Sequence, residues 1–352
     1  MSTKLNCETY VFDPRPRYEL VTTAKRYWHP QHCSDAPDAL TLIFAHGTGF
    51  VKEHWEPTLE DLYDIVSRDD NANPKVSIRE AWSIEASNHG DSAVLNEQTL
   101  LWGYTPVFGW EEYARSIHAL LTGLGTGVPI NFTARKLVGI GHSMGTIALM
   151  LADTYAPPLA FASLILVDPM LLREPRPGGP QLDLVSPAVK RRDIWPSREE
   201  ALQTLQARPS FKLWDPRILE IFVNQGLRDL PTAIYPDKTG VTLKCPKEYE
   251  AACYRDVVGR VRAYRYLPAL CSKLPVHFIY GAIDDYLPKE IKDDVLNVAA
   301  QRKYASLARV PGAGHLVPQM QPRGLAQAVH VALLQDLNTS TSRSKAAPQS
   351  KL

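Results

Sequence analysis

The pentapeptide Gly141-His142-Ser143-Met144-Gly145 places a serine between two glycines, directly after an apolar run at 136–140. Such a pattern suits a strand-to-helix turn that holds a nucleophile in a strained conformation with little room for neighbouring side chains. A serine hydroxyl is a weak nucleophile near neutral pH. It therefore needs a base, a carboxylate to fix that base's tautomer, and donors for the oxyanion that develops during attack. His315, in Gly312-Ala313-Gly314-His315 late in the chain, is the candidate base among ten histidines, because a loop there can carry an imidazole across the strand ends to Ser143. Two positions can supply the acid. Asp168 follows one apolar run, and Asp284, with Asp285 beside it, follows the next. Each also has an ordinary reading, as a turn residue before Pro169 or as a helix cap. The oxyanion donors are expected to be the backbone amides of Met144, just after the nucleophile, and of Thr48, in His46-Gly47-Thr48-Gly49. His46 and the loop Asn88-His89-Gly90-Asp91-Ser92 read as turn-forming rather than chemical.

These residues need a scaffold that brings distant loops to one edge. Short apolar runs at 40–45, 76–84, 136–140, 161–167, 275–280 and 305–310 read as strands. Between them, apolar residues recur at helical spacing: Trp55, Leu59, Leu62 and Val66; Trp110, Tyr113, Ile117, Leu120 and Leu124; Met144, Ile147, Ala148 and Leu151; Leu325, Val329 and Leu333. The alternation predicts an α/β protein with a mainly parallel sheet and helices on both faces. The pattern breaks from 170 to 272, a stretch rich in proline, tryptophan and charge with short helical pieces at 198–208 and 215–225. It is too long for a structureless loop, so it is expected to be a helical cap inserted over the strand ends. The core is then 1–169 and 273–337. Within the cap, Trp195, Trp214, Tyr235, Tyr249 and Tyr254 could line an acyl pocket or form the cap's own core. Lys190, Arg191 and Arg192, with Arg173 and Arg176, could steer an anionic carrier or be a solvated face.

The chain has 352 residues, is 45% hydrophobic, and carries a formal net charge of +1. There is no basic excess to favour nucleic acid or an anionic membrane, and no apolar stretch approaches a bilayer span. Five widely spaced cysteines suit free thiols in a reducing compartment. No secretory signal is visible at the start. The last three residues, Ser350-Lys351-Leu352, are the tripeptide read by the peroxisomal import receptor. Residues 338–352 are polar and are expected to form an accessible, disordered tail around that signal. The expected address is the peroxisome matrix.

With elbow, loop and cap in view, the chain resembles an α/β-hydrolase throughout. More narrowly it is similar to the fungal peroxisomal hydrolases of toxin and meroterpenoid biosynthesis, including the acyl-CoA hydrolases of the mycophenolic acid type. The similarity runs over 38–337, through the motifs at 44–49, 138–145 and 166–169, and through cap blocks at 191–199, 214–217, 226–232, 235–237 and 241–243. It implies that the triad acid is Asp168, from the Asp-Pro turn, although Asp284 occupies the position commoner among such hydrolases. It also implies a serine hydrolase of a small-molecule acyl ester or acyl-CoA, in which CoA is part of the substrate and no metal or organic cofactor is used. A carboxylesterase or lipase is the rival enzyme, and a non-catalytic binding protein on the same fold is the rival from another class.

Overall fold

The computed structural model describes residues 4–68, 75–174 and 183–346, with the backbone alone at 340–346. The chain opens with β1 (Asn6–Phe12), β2 (Thr22–Trp28) and β3 (Leu40–Ala45), followed by α1 (Glu56–Arg68) and β4 (Ile78–Ile84). Then come α2 (Gly90–Leu95), α3 (Glu97–Gly103), α4 (Trp110–Leu121), β5 (Lys136–His142), α5 (Met144–Ala152) and β6 (Phe161–Val167). All six predicted strands are present. Beside them lie β1 and β2, which the apolar pattern missed. Both run antiparallel at one edge, and β1 is largely exposed, so its sequence carries no continuous apolar run.

The eight-stranded sheet has the order β1-β2-β4-β3-β5-β6-β10-β11, where β10 is Val276–Gly281 and β11 is Ser306–Val310. From β4 onward every pairing is parallel. Alternate residues of each strand point to opposite faces, and two apolar cores result. Ile43, Leu137, Leu164, Leu166 and Phe278 join one core with α4 and α5. Leu42, Phe44, Val138, Ile140, Ile165, Val167 and Ile279 join the other, with α1 and the last helix. A strand buried on both faces must be apolar at nearly every position, which is why these strands were legible.

After β6 the chain builds the cap: α6 (Val185–Lys190), β7 (Ile194–Trp195), α7 (Arg198–Gln206), α8 (Pro216–Gly226), β8 (Leu227–Asp229), β9 (Val241–Leu243) and α9 (Lys247–Arg255). Trp195, Leu205, Trp214, Ile218, Phe222 and Leu243 form its own small core. Beside its helices the cap carries an antiparallel sheet of β7, β9 and β8, whose two- and three-residue strands are too short to leave an apolar run. One expectation needs correction: the cap ends before 272. Helix α10 (Val258–Lys273) turns Ala263, Leu267 and Leu270 into the main core, where it packs on α5.

The chain closes with α11 (Lys289–Asp294), α12 (Val317–Met320) and α13 (Pro322–Ala346), which lies along α1. The tail was expected to be disordered from 338. Its backbone is helical to Ala346, because α13 simply continues through a run with no proline or glycine until Pro348. The tripeptide Ser350–Leu352, expected to be a targeting signal, lies outside the described residues, as does Arg176. All five cysteines are free thiols. Among the described residues, no helix is long and apolar enough to cross a membrane.

Candidate active site

The turn between β5 and α5 is built for close approach. Ser143 has φ 53° and ψ −116°, a left-handed backbone that is costly for a residue with a β-carbon. A Cβ at Gly145 would lie 2.2 Å from the Ala45 carbonyl oxygen, and one at Gly141 would lie 2.6 Å from the Thr146 nitrogen. Glycine at both positions lets α5 start hard against the ends of β3 and β5. Hydrogen bonds fix the turn: the Ser143 N–H donates to the Val167 carbonyl at 3.0 Å, and the Ser143 carbonyl accepts from the Thr146 hydroxyl at 2.6 Å.

Ser143, His315 and Asp168 come together although 172 and 147 residues separate the bonded pairs. The Ser143 Oγ lies 3.0 Å from His315 Nε2, and His315 Nδ1 lies 2.8 Å from Asp168 Oδ1. All three are buried, and Asp168 entirely so. The bond between a carboxylate and Nδ1 requires a proton on Nδ1, which leaves Nε2 free to accept from the serine hydroxyl. Asp168 also has a left-handed backbone, with φ 43°, and its other oxygen accepts the Gly281 N–H at 3.0 Å. Burial by itself would push this carboxyl up. The hydrogen bond and charge of His315, the nearby Lys292 ammonium and the Gly281 N–H outweigh it and hold Asp168 below the ordinary carboxylate range.

Asp284 is not at His315. It forms ion pairs with Lys292 at 3.0 Å and Arg309 at 3.5 Å, with its side chain partly exposed. Its neighbour Asp285 supports the base through the backbone instead, accepting the His315 N–H at 2.7 Å. Two further groups grip His315. His142 Nε2 lies 2.8 Å from the His315 carbonyl and donates to it, and the rings of His142 and Tyr286 lie 5.2 Å from the imidazole. Burial, reinforced by His315 next to it, pushes His142 down to about 3, so it stays neutral. Sequence reading missed His142, Tyr286 and Lys292 as members of this neighbourhood. The usable signal for His142 and Tyr286 was their adjacency to Ser143 and to the Asp284-Asp285 pair; Lys292, seven residues further on, carried none.

On the opposite side, Met144 opens α5, so its N–H has no acceptor within the helix. Thr48 lies in the turn after β3 and its hydroxyl donates to the Met144 sulfur at 3.4 Å. The turn itself is braced by histidines in structural roles, as expected. His46 Nδ1 donates to the Gly47 carbonyl at 2.8 Å while Nε2 accepts the Ala86 N–H at 3.1 Å. His89 Nε2 accepts the Gly49 N–H at 2.8 Å.

Above Ser143 is a cavity of about 590 Å³ between core and cap. Thr48, Phe50, Ser143, Trp214, Tyr254 and His315 are among its walls. Of the candidate aromatics, Trp195 and Trp214 serve both as cap core and as pocket wall, and Tyr254 is wall. Tyr249 belongs to the main core, and Tyr235 hydrogen-bonds Asp193 at 2.5 Å. Of the candidate cations, Arg191 lines the cavity paired with Glu250, and Arg192 lines it too. Arg208, which was not singled out from the sequence, joins them. Neither Arg192 nor Arg208 has a carboxylate partner among the described residues. Arg173 is occupied elsewhere, by Asp294 at 2.8 Å.

Comparison with known proteins agrees with this fold. The model of the alpha/beta hydrolase family matches residues 42–328. The type I acyl-CoA thioesterase mpaH of Penicillium brevicompactum is 32% identical over 244 residues, covering 64% of this chain and 50% of that protein. Its counterpart in Penicillium roqueforti is 31% identical over 257 residues, 67% of this chain and 53% of that protein. The chain thus spans about half the length of these relatives. The peroxisomal membrane protein LPX1 of Saccharomyces cerevisiae is 26% identical over 94% of this chain and 84% of its own. The crystal structure of that yeast peroxisomal alpha-beta-hydrolase superposes with a TM-score of 0.69 at 24% identity, covering 99% of this chain and 93% of the other.

Proposed function

Because this chain belongs to the alpha/beta hydrolase family, we propose that it is a serine hydrolase that cleaves an acyl thioester, the CoA ester of a secondary-metabolite acid or fatty acid, in the peroxisome. The observation that carries the reading is the unbroken relay from Asp168 through His315 to Ser143 on the floor of the cavity. As the Ser143 Oγ bonds to the acyl carbon, its proton passes to His315 Nε2, and Asp168 stabilises the resulting imidazolium. The carbonyl oxygen becomes an oxyanion facing the N–H groups of Met144 and Thr48. Collapse breaks the carbon–sulfur bond, and His315 returns the proton to the departing thiolate. Water then adds to the acyl-enzyme, giving its proton to His315. Breakdown of the second tetrahedral intermediate frees the acid and returns the proton to Ser143.

The thioester is supported by the Penicillium relatives, which are named as acyl-CoA thioesterases, and by the walls of the cavity. Its aromatic part suits an acyl chain, and Arg191, Arg192 and Arg208 suit a phosphate-bearing carrier. The peroxisome is supported by the terminal Ser-Lys-Leu and by the LPX1 relative. Thiol release from a panel of acyl-CoAs tests the substrate class. Brisk cleavage of simple esters with no thiol release would make the protein a carboxylesterase. For location, a fluorescent fusion lacking the last three residues is expected to become cytosolic; peroxisomal fluorescence that persists would discard the tripeptide as the signal.

A further inference from the structure

We propose that Lys292 is a positioning residue of this site: its buried ammonium, held between Asp168 and Asp284, restrains the triad carboxylate for His315 and balances its charge. The proposal rests on the Ser143–His315–Asp168 reading above. Lys292 lies on α11, beyond the loop after β10 that carries Asp284, and its side chain is only 1% exposed. A lysine is almost never so buried without a partner, because removing an ammonium from water is costly. Here the ammonium lies 3.6 Å from Asp168 Oδ2 and 3.0 Å from Asp284 Oδ1, with the Tyr280 ring centroid 5.2 Å away.

The two oxygens of Asp168 are thereby divided. Oδ1 takes the imidazole, whereas Oδ2 takes the Gly281 N–H and faces the ammonium. A carboxylate held on both oxygens cannot rotate away from the base. The charges alternate outward from the buried acid to the surface: Asp168, Lys292, Asp284, then Arg309, whose Nη1 is 3.5 Å from Asp284. Asp284, at the second candidate acid position, is thus connected to the triad through a cation.

A positive charge at this distance also acts on the acid that orients His315. The groups that face the imidazole are Asp168, Ser143, the His142 and Tyr286 rings, and Asp285 through the backbone N–H. Those that face Lys292 are Asp168, Asp284 and Tyr280. The ammonium is one of the charges that hold Asp168 ionised against its burial. Its loss must let that carboxyl take a proton at higher pH, and a protonated acid no longer fixes the His315 tautomer.

The test is the rate at which a fluorophosphonate inactivates the full-length protein, measured across pH. In that reaction the Ser143 oxygen bonds to phosphorus and fluoride departs, so the readout is independent of the thioester. Lys292→Met is expected to move the acid limb up by about one pH unit and to lower the plateau about tenfold. Lys292→Arg, which keeps the charge, should return the limb toward wild type. Asp284→Asn leaves the ammonium less neutralised and should move the limb slightly down. A folded Lys292→Met protein, with the wild-type melting temperature and the wild-type limb, overturns the proposal. Should Lys292→Met not fold, Asp284→Asn decides: a limb that stays put or moves up overturns it equally. Wild type that is not labelled at all would instead remove the triad reading, a different and separable failure.

Discussion

The ends of β6 and β10 are neighbours in the sheet, and each offers a carboxylate one to four residues past the strand, yet only one of them meets the base. Asp168 is fully buried, has a left-handed backbone and divides its oxygens between His315 and Gly281. Asp284 is partly exposed and bound to two cations. The contrast teaches that reach alone does not select a triad acid. What selects it is a backbone turn that aims the carboxylate inward and a shell of donors that holds it ionised against burial. A strained φ is tolerated only where surrounding structure over-determines it. Here the two non-glycine residues bearing it beside the cavity floor are Ser143 and Asp168.

The comparison can be broken by substitution. Ser143→Ala should lower hydrolysis by about 10⁶-fold and abolish fluorophosphonate labelling, and equal labelling would displace the nucleophile. Asp168→Asn should cost about 10⁴-fold in kcat, since the amide cannot hold the required tautomer, whereas Asp284→Asn should stay within about tenfold. Reversal of those two effects would transfer the acid to β10. Trp214→Ala removes a wall shared by the cap core and the cavity. It should destabilise the cap by about 3 kcal/mol and raise KM for acyl substrates, while labelling by a small fluorophosphonate persists. Equal loss in both assays would mean that the cap also holds the triad in place.

The smallest effect is one of pH and stability. His54 is buried against Phe50, Trp214 and Phe222 where cap meets core, with neither ring nitrogen hydrogen-bonded. Burial first, then His46 and His142, push it down to about 3. A histidine depressed in the fold binds its proton more readily when unfolded. Its neutral form therefore contributes stability in full above the unfolded value of about 6.5, and that contribution falls away as pH drops toward about 3. His54→Leu should flatten the loss of stability between about pH 6 and 4 by up to about 1.4 kcal/mol per pH unit, read from urea midpoints. An unchanged slope would mean that His54 is not held neutral.

Much of this architecture was legible in one sequence, for reasons that differ by region. The parallel strands were readable because burial on both faces demands unbroken apolar runs, as in Leu40–Ala45. The elbow at Ser143 was readable because the close approach at Gly141 and Gly145 admits so few residue types. The edge strands β1 and β2 were not, since one-sided or absent burial leaves polar residues such as Lys25 and Arg26 within them. The limits of the cap were misplaced because Ala263, Leu267 and Leu270 carry a helical spacing that does not say which core they face. Helical spacing is blind to direction.

By itself, then, the sequence determined the parallel strands, the candidate nucleophile Ser143 and the candidate base His315, because strand burial and the elbow impose local rules on residue type. No local rule separated Asp168 from Asp284, although the family resemblance favoured Asp168, and none pointed to Lys292 between them. Both depend on where two adjacent strands end relative to a loop that returns from the far end of the chain. That relation is measured in ångströms across the sheet rather than in residues along it, so only the tertiary structure could decide it.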